Sequence, residues 1–153
     1  MATQGAPALG PVLFAYDGSV LAQLAIEQAG RQLAPGRDAL VLCVWQPADV
    51  GFVPVETQHF DAQNAAEVEE AAQQTAAHGA ALAEKAGFRS ETLAVQAAPT
   101  WKGIIKTAEE RDASLIVLGS HRRSGLVGHF IGSVAAAVVT HSQRSVLVVH
   151  QQS

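Results

Sequence analysis

Two stretches of this chain combine residue types that could do chemistry. The first is Tyr16-Asp17-Gly18-Ser19, where a carboxylate follows a short apolar run and precedes a helix-type pattern. The second runs from Gly119 to Ser133 and carries four glycines, two arginines and two histidines. Glycines let a backbone approach an anion closely, and Gly132-Ser133 opens a helical pattern whose first N–H groups and positive dipole end favour phosphate. Asp17 can accept hydrogen bonds from a ligand, or serve only as a turn residue bonded to the helix that follows it.

The elements that must position these residues follow from periodicity. Val12 to Tyr16 reads as a strand closed by the turn at Asp17, and Ala22, Ala25, Ala29 and Leu33 trace a helix that Pro35-Gly36 breaks. Ala39 to Trp45 is a nearly continuous apolar run, as in a strand covered on both faces, and Pro47 stops it. Residues 46–62 lack either period and read as a long loop, of a kind that often serves as a lid. Ala65 to Ala86 forms a second helix, with Ala65, Val68, Ala72, Ala76 and Ala83 on one face. Arg89 to Val95 alternates as an edge strand does. After Pro99, Trp101, Ile104, Ile105 and Ala108 define a third helix with Thr100 as its expected N-cap. Leu115 to Leu118 is a fourth strand. Ile131, Val134, Ala135 and Val138 mark a fourth helix, and Val146 to Val149 is the last strand. Strands alternating with helices predict an α/β fold with a parallel sheet, whose ligands bind beyond the carboxyl ends of the strands where strand order reverses. Asp17 falls at that point, which favours the ligand reading of its carboxylate.

With 153 residues, 48% of them hydrophobic and 16% charged, the chain is sized and composed for one folded domain. Met1 to Gly10 reads as a flexible N-terminal arm without the features of a signal peptide, and residues 11–150 as a single domain. The formal net charge of -4 gives no support to a nucleic-acid surface or a polybasic membrane anchor, and no apolar run reaches the ~18 residues of a membrane span. The single cysteine, Cys43, excludes a disulfide framework within the chain and points to a cytoplasmic location. Inside its apolar strand it reads as a buried, inert thiol.

Several chemistries lack their patterns. Neither G-x-x-x-x-G-K-[ST] nor G-x-G-x-x-G after strand 1 is present, nor the G-x-S-x-G elbow of a serine hydrolase. His121, His129 and His141 have no close metal-ligand spacing and read as surface histidines. Trp101 reads as a packing anchor, with an interface as the alternative. Lys102, Lys106 and the run Glu67, Glu69, Glu70 read as solvated helix faces.

These residues resemble the universal stress protein family. Its ATP-binding members carry G-x2-G-x9-G-[ST] after the fourth strand and an Asp at the end of the first. The resemblance runs from Val12-Leu13-Phe14-Ala15-Tyr16-Asp17-Gly18-Ser19 through Ser114-Leu115-Ile116-Val117-Leu118-Gly119-Ser120-His121 to Gly132-Ser133 and Val146-Leu147-Val148-Val149. It implies an open five-stranded parallel sheet in the order 3-2-1-4-5 with helices on both faces, of the adenine nucleotide alpha hydrolase-like kind.

The same resemblance implies a cytoplasmic stress-response protein that binds ATP, or ADP or AMP, with Mg2+ as an accompanying ion, and that forms a homodimer through strand 5. Asp17 would meet ribose and adenine, Val44 would offer backbone to adenine, and Gly119, Gly132 and Ser133 would hold phosphates, with Leu118 and Val134 beside them. Arg122 stands where the motif's second glycine would be, so the motif here reads G-x2-R-x9-G-S. Its guanidinium either clamps phosphate bidentately or crowds the path a glycine leaves open; the donor-rich loop around it favours the clamp. Slow ATP hydrolysis stays open, although no paired carboxylates stand near the loop. The alternative is a dimeric interaction module of the same fold that binds no nucleotide. Neither reading calls for nucleic acid or membrane.

Overall fold

A computed structural model describes residues 9–46, 62–120 and 131–151. Five strands, β1 (Val12–Ala15), β2 (Asp38–Trp45), β3 (Arg89–Gln96), β4 (Leu115–Gly119) and β5 (Ser145–Val149), alternate with four helices. These are α1 (Val20–Gln32), α2 (Ala62–Lys85), α3 (Thr100–Glu110) and α4 (Ser133–His141). The strands form one parallel sheet in the order β3-β2-β1-β4-β5, as expected. Strand order reverses beside β1, which brings the carboxyl ends of β1 and β4 together.

Side-chain alternation divides the core in two. Val12, Phe14 and Tyr16 of the first strand segment face α1 and α2, packing with Ala22, Ala25, Ile26, Ala29, Ala80 and Ala83. Leu13 faces the other way, where Leu40, Leu42, Ile116 and Leu118 meet Ile104 and Ala108 of α3 and Ala135 and Val138 of α4. This double burial explains why the central strands read as unbroken apolar runs. The alanine rows of α1 and α2 let those helices lie close to the sheet, and Phe14 packs edge-on against Phe88 with ring centroids 5.2 Å apart. Arg89–Gln96 is an edge strand with both termini exposed, matching its alternating sequence.

Local details depart from expectation. Pro99, not Thr100, is the N-cap of α3, and no side chain caps that helix. Pro99 itself takes the extended cap conformation at φ -70° and ψ 162°, so Thr100 becomes the first helical residue and its hydroxyl is turned to Gln46. Ile131 precedes α4 instead of lying in it, because Gly132 takes the cap position. Cys43 is half-buried, not sealed in the core. The expected lid, residues 46–62, lies outside the described residues except for its two ends, and so do residues 1–8 of the expected arm.

Candidate functional site

The chain leaves β1 through a tight turn. Gly18 has φ 84°, a left-handed conformation that glycine adopts without strain. Asp17 Oδ1 accepts from the Ser19 amide at 3.0 Å, and Ser19, the N-cap of α1, accepts from the Ala22 amide at 3.1 Å. The turn role of Asp17 is therefore real, yet its exposed carboxylate also borders a cleft. That cleft encloses about 540 Å³, part of it open to solvent, at the carboxyl ends of the strands. Ala15, Tyr16 and Asp17 supply its floor, Leu42 and Val44 one wall, Leu118, Gly119 and Val134 another, and Thr100 with Ile104 a third.

Five of the residues expected at the site, Asp17, Val44, Leu118, Gly119 and Val134, thus line one cleft. Gly132 and Ser133 stand next to it at the start of α4. Arg122 lies outside the described residues. Two glycines have roles the motif alone does not show. A Cβ on Gly119 would lie 2.6 Å from Leu21 Cγ and 3.1 Å from the Leu21 carbonyl oxygen, so this glycine also lets β4 and α1 pack closely. The Gly132 amide donates to Ser120 Oγ at 3.1 Å. With that amide engaged, the amides at the start of α4 without an intrahelical acceptor are those of Ser133 and its successors, and no side chain caps the helix.

Sequence reasoning missed Ser120 and Thr100. Ser120 is 2% exposed, its amide donates to the Val149 carbonyl at 2.9 Å, and its hydroxyl holds Gly132. Thr100, which lines the cleft, accepts from Gln46 Nε2 at 3.4 Å. Neither partner is close in sequence, so spacing carried no signal for either.

Electrostatics in the cleft are simple. Among the described residues no lysine or arginine lines it. The phenol of Tyr16 is held above its ordinary pKa of 10.0, mainly by burial; the Asp17 charge adds to the rise and a hydrogen bond with Gln23 opposes it. Its hydroxyl also pairs with His78 Nδ1 at 2.7 Å. On the far side of Asp17 and Val44 lies a second, more open cavity of about 890 Å³, bounded by Cys43, Trp45, Glu67 and Thr75. Trp45 Nε1 is buried there without an acceptor among the described residues.

Among the described residues no group of three His, Cys, Asp or Glu side chains could hold an ion. His141 stacks on Trp101, with centroids 4.5 Å apart, and Lys102 lies over the same ring. His121 and His129 lie outside the described residues. No helix among the described residues is long and apolar enough to cross a membrane.

A doubly wound parallel sheet with its cleft at the strand-order reversal defines the class. Residues 9–150 match the family model described as the universal stress protein family, and the chain belongs to that family. A universal stress protein of Mycobacterium tuberculosis is 32% identical over 160 residues, covering 96% of this chain and 47% of the relative. The chain therefore spans about half the length of that curated relative. The solved structure of a universal stress protein of Methanocaldococcus jannaschii superposes with a TM-score of 0.74 at 22% identity, covering 94% of this chain and 97% of that one. A universal stress protein solved in complex with cAMP gives a TM-score of 0.63 at 26% identity, with 94% and 98% covered.

Proposed function

We propose that this chain binds an adenine nucleotide, ATP before ADP or AMP, in the cleft at the carboxyl ends of β1, β2 and β4, as a signal or cofactor in a cytoplasmic stress response. The observation that carries this reading is the convergence of Asp17, Val44, Leu118, Gly119 and Val134 on one cleft beside the uncapped start of α4. A relative of the same fold was solved with cAMP, which supports an adenine ligand. In this reading Asp17 accepts from ribose hydroxyls and the backbone of Val44 meets the base. The cleft's apolar walls hold the ring, and the Ser133 hydroxyl together with the amides of Ser133 and Val134 takes the phosphates. Gly119 and Gly132 keep those segments close, and Arg122 clamps the outer phosphates. Mg2+ accompanies the triphosphate, held by phosphate oxygens and water, since that ion commonly keeps several waters at such sites.

In this reading the chain binds and orients the nucleotide, with slow ATP hydrolysis as the most it would catalyse. In the same reading two copies pair through β5, whose run Val146 to Val149 carries no charge or proline along the sheet edge. The test is calorimetric titration of ATP, ADP and AMP into protein freed of co-purified nucleotide, repeated with Ser133→Ala and Arg122→Gly. Binding by the parent that weakens in Ser133→Ala is the expected result. A parent that binds none of the three overturns the reading and leaves the dimeric interaction module. Tighter ATP binding by Arg122→Gly would overturn the clamp. Sedimentation of Val148→Lys against the parent tests the β5 dimer, with a larger monomer fraction expected in the variant and a monomeric parent counting against it.

A further inference from the structure

Among the described residues the cleft is poor in side-chain donors. Of the described residues that line it, Tyr16, Asp17 and Thr100 carry polar side-chain atoms. The Tyr16 hydroxyl is engaged with His78 of α2, and an ionised carboxylate such as Asp17 only accepts. Thr100 remains. Its hydroxyl is not spent on capping α3, because Pro99 holds the cap position and no side-chain cap bond forms. Gln46 Nε2 instead donates into Thr100 Oγ1 at 3.4 Å. A hydroxyl has one hydrogen to give and two lone pairs to receive, so a donor seated on one lone pair leaves that hydrogen for a different acceptor. Thr100 lines the same cleft as Val44, and Gly103 one turn on lets α3 approach that strand: a Cβ there would sit 3.1 Å from Val44 Cγ1.

We propose that the Thr100 hydroxyl, oriented by Gln46, donates a hydrogen bond to a ring nitrogen of a purine bound in the cleft, making Thr100 a specificity-determining residue. This rests on the nucleotide reading above and goes beyond it by naming the side chain that reads the base. A purine carries acceptor nitrogens along its edges. A site with one fixed donor should distinguish an analogue that lacks the matching nitrogen, because the donor is then left unpaired.

The experiment is equilibrium dialysis of ATP and its 1-deaza, 3-deaza and 7-deaza analogues against the parent, Thr100→Val and Thr100→Ser. Valine keeps the shape of threonine without the hydroxyl, and circular dichroism of each variant checks that it folds. In the parent, one analogue should bind about three- to tenfold more weakly than ATP through loss of this bond. Thr100→Val should lose the same factor for ATP and show no added penalty for that analogue, while Thr100→Ser restores both. Thr100→Val binding ATP as tightly as the parent, or keeping every deaza penalty unchanged, would overturn the assignment. A parent that binds no ATP is a separate result, read before any variant is made; it removes the nucleotide reading and this inference with it.

Discussion

The two ends of the sheet are built differently. At the amino ends of the strands long basic side chains tie neighbouring segments together. Arg37 Nη2 donates to Ser114 Oγ at 2.6 Å and to the Gly10 carbonyl at 3.2 Å, and Ser114 Oγ donates to that carbonyl at 2.7 Å. Arg144 Nη1 reaches Asp112 Oδ1 at 2.7 Å and the Ala113 carbonyl at 2.9 Å, and Arg89 pairs with Asp38 at 3.0 Å. At the carboxyl ends the bonds come from uncharged side chains and one carboxylate: Asp17 with the Ser19 amide, Ser19 with the Ala22 amide, Ser120 with the Gly132 amide, Gln46 with Thr100 and Tyr16 with His78. One end is fastened, and the other is left with room and with unspent backbone donors.

The sharpest way to break the fastened end is Gly10→Ala. Its Cβ would lie 1.9 Å from the Asp112 carbonyl oxygen, a backbone atom that cannot turn away as a side chain does. A loss of about 3 kcal/mol in denaturant unfolding is expected, at the top of the usual overpacking range. Ser114→Ala removes a hydroxyl that accepts from Arg37 and is shared between the Gly10 and Pro11 carbonyls, and should cost about 1–2 kcal/mol, with nucleotide affinity unchanged once the protein is folded. A drop in affinity from either variant would show that the two ends are not separable.

At the open end the stability effects should be smaller. Ser120→Ala leaves the Gly132 amide without its acceptor, at about 1 kcal/mol, and should weaken nucleotide binding because the first turn of α4 is no longer held in place. Unaltered affinity would free the phosphate reading from that clasp. Asp17→Asn keeps an oxygen for the Ser19 amide and removes the charge, so unfolding free energy should move by under ~0.5 kcal/mol. ATP affinity should still fall measurably in the calorimeter, which separates the turn role from the ligand role.

Tyr16 gives the smallest effect at neutral pH and a distinct one in alkali. Burial raises its pKa in the folded state above 10.0, so below that value the phenol is protonated in both states and its full contribution is present. As pH rises past the unfolded value, the unfolded chain loses the proton first, and this contribution declines until the folded phenol ionises too. Tyr16 is the chain's one tyrosine, so absorbance of the phenolate follows it alone. The decline in stability above pH 10.0 should be shallower in Tyr16→Phe than in the parent.

Legibility in the sequence followed the range of the interactions. Val12 to Ala15 and Leu115 to Leu118 are buried on both faces, and their unbroken apolar runs revealed the central strands and so the sheet. The turn at Asp17 was readable because Gly18 and Ser19 act within two residues of it. Thr100 was misread as a cap: a threonine before a helical run usually is one, and nothing local reveals a partner 54 residues away at Gln46. Gly119 was read for its openness to a ligand, whereas its contact with Leu21 depends on how α1 crosses β4, which periodicity does not encode. Ser120 was passed over because its value lies in a bond to Gly132, 12 residues on.

That last bond also has a meaning for engineering. Ser120 is joined to the edge strand through the Val149 carbonyl and to Gly132 through its hydroxyl, so the ends of β4 and β5 and the start of α4 share one buried residue. A graft that carries these three elements into another parallel sheet should carry Ser120 with them.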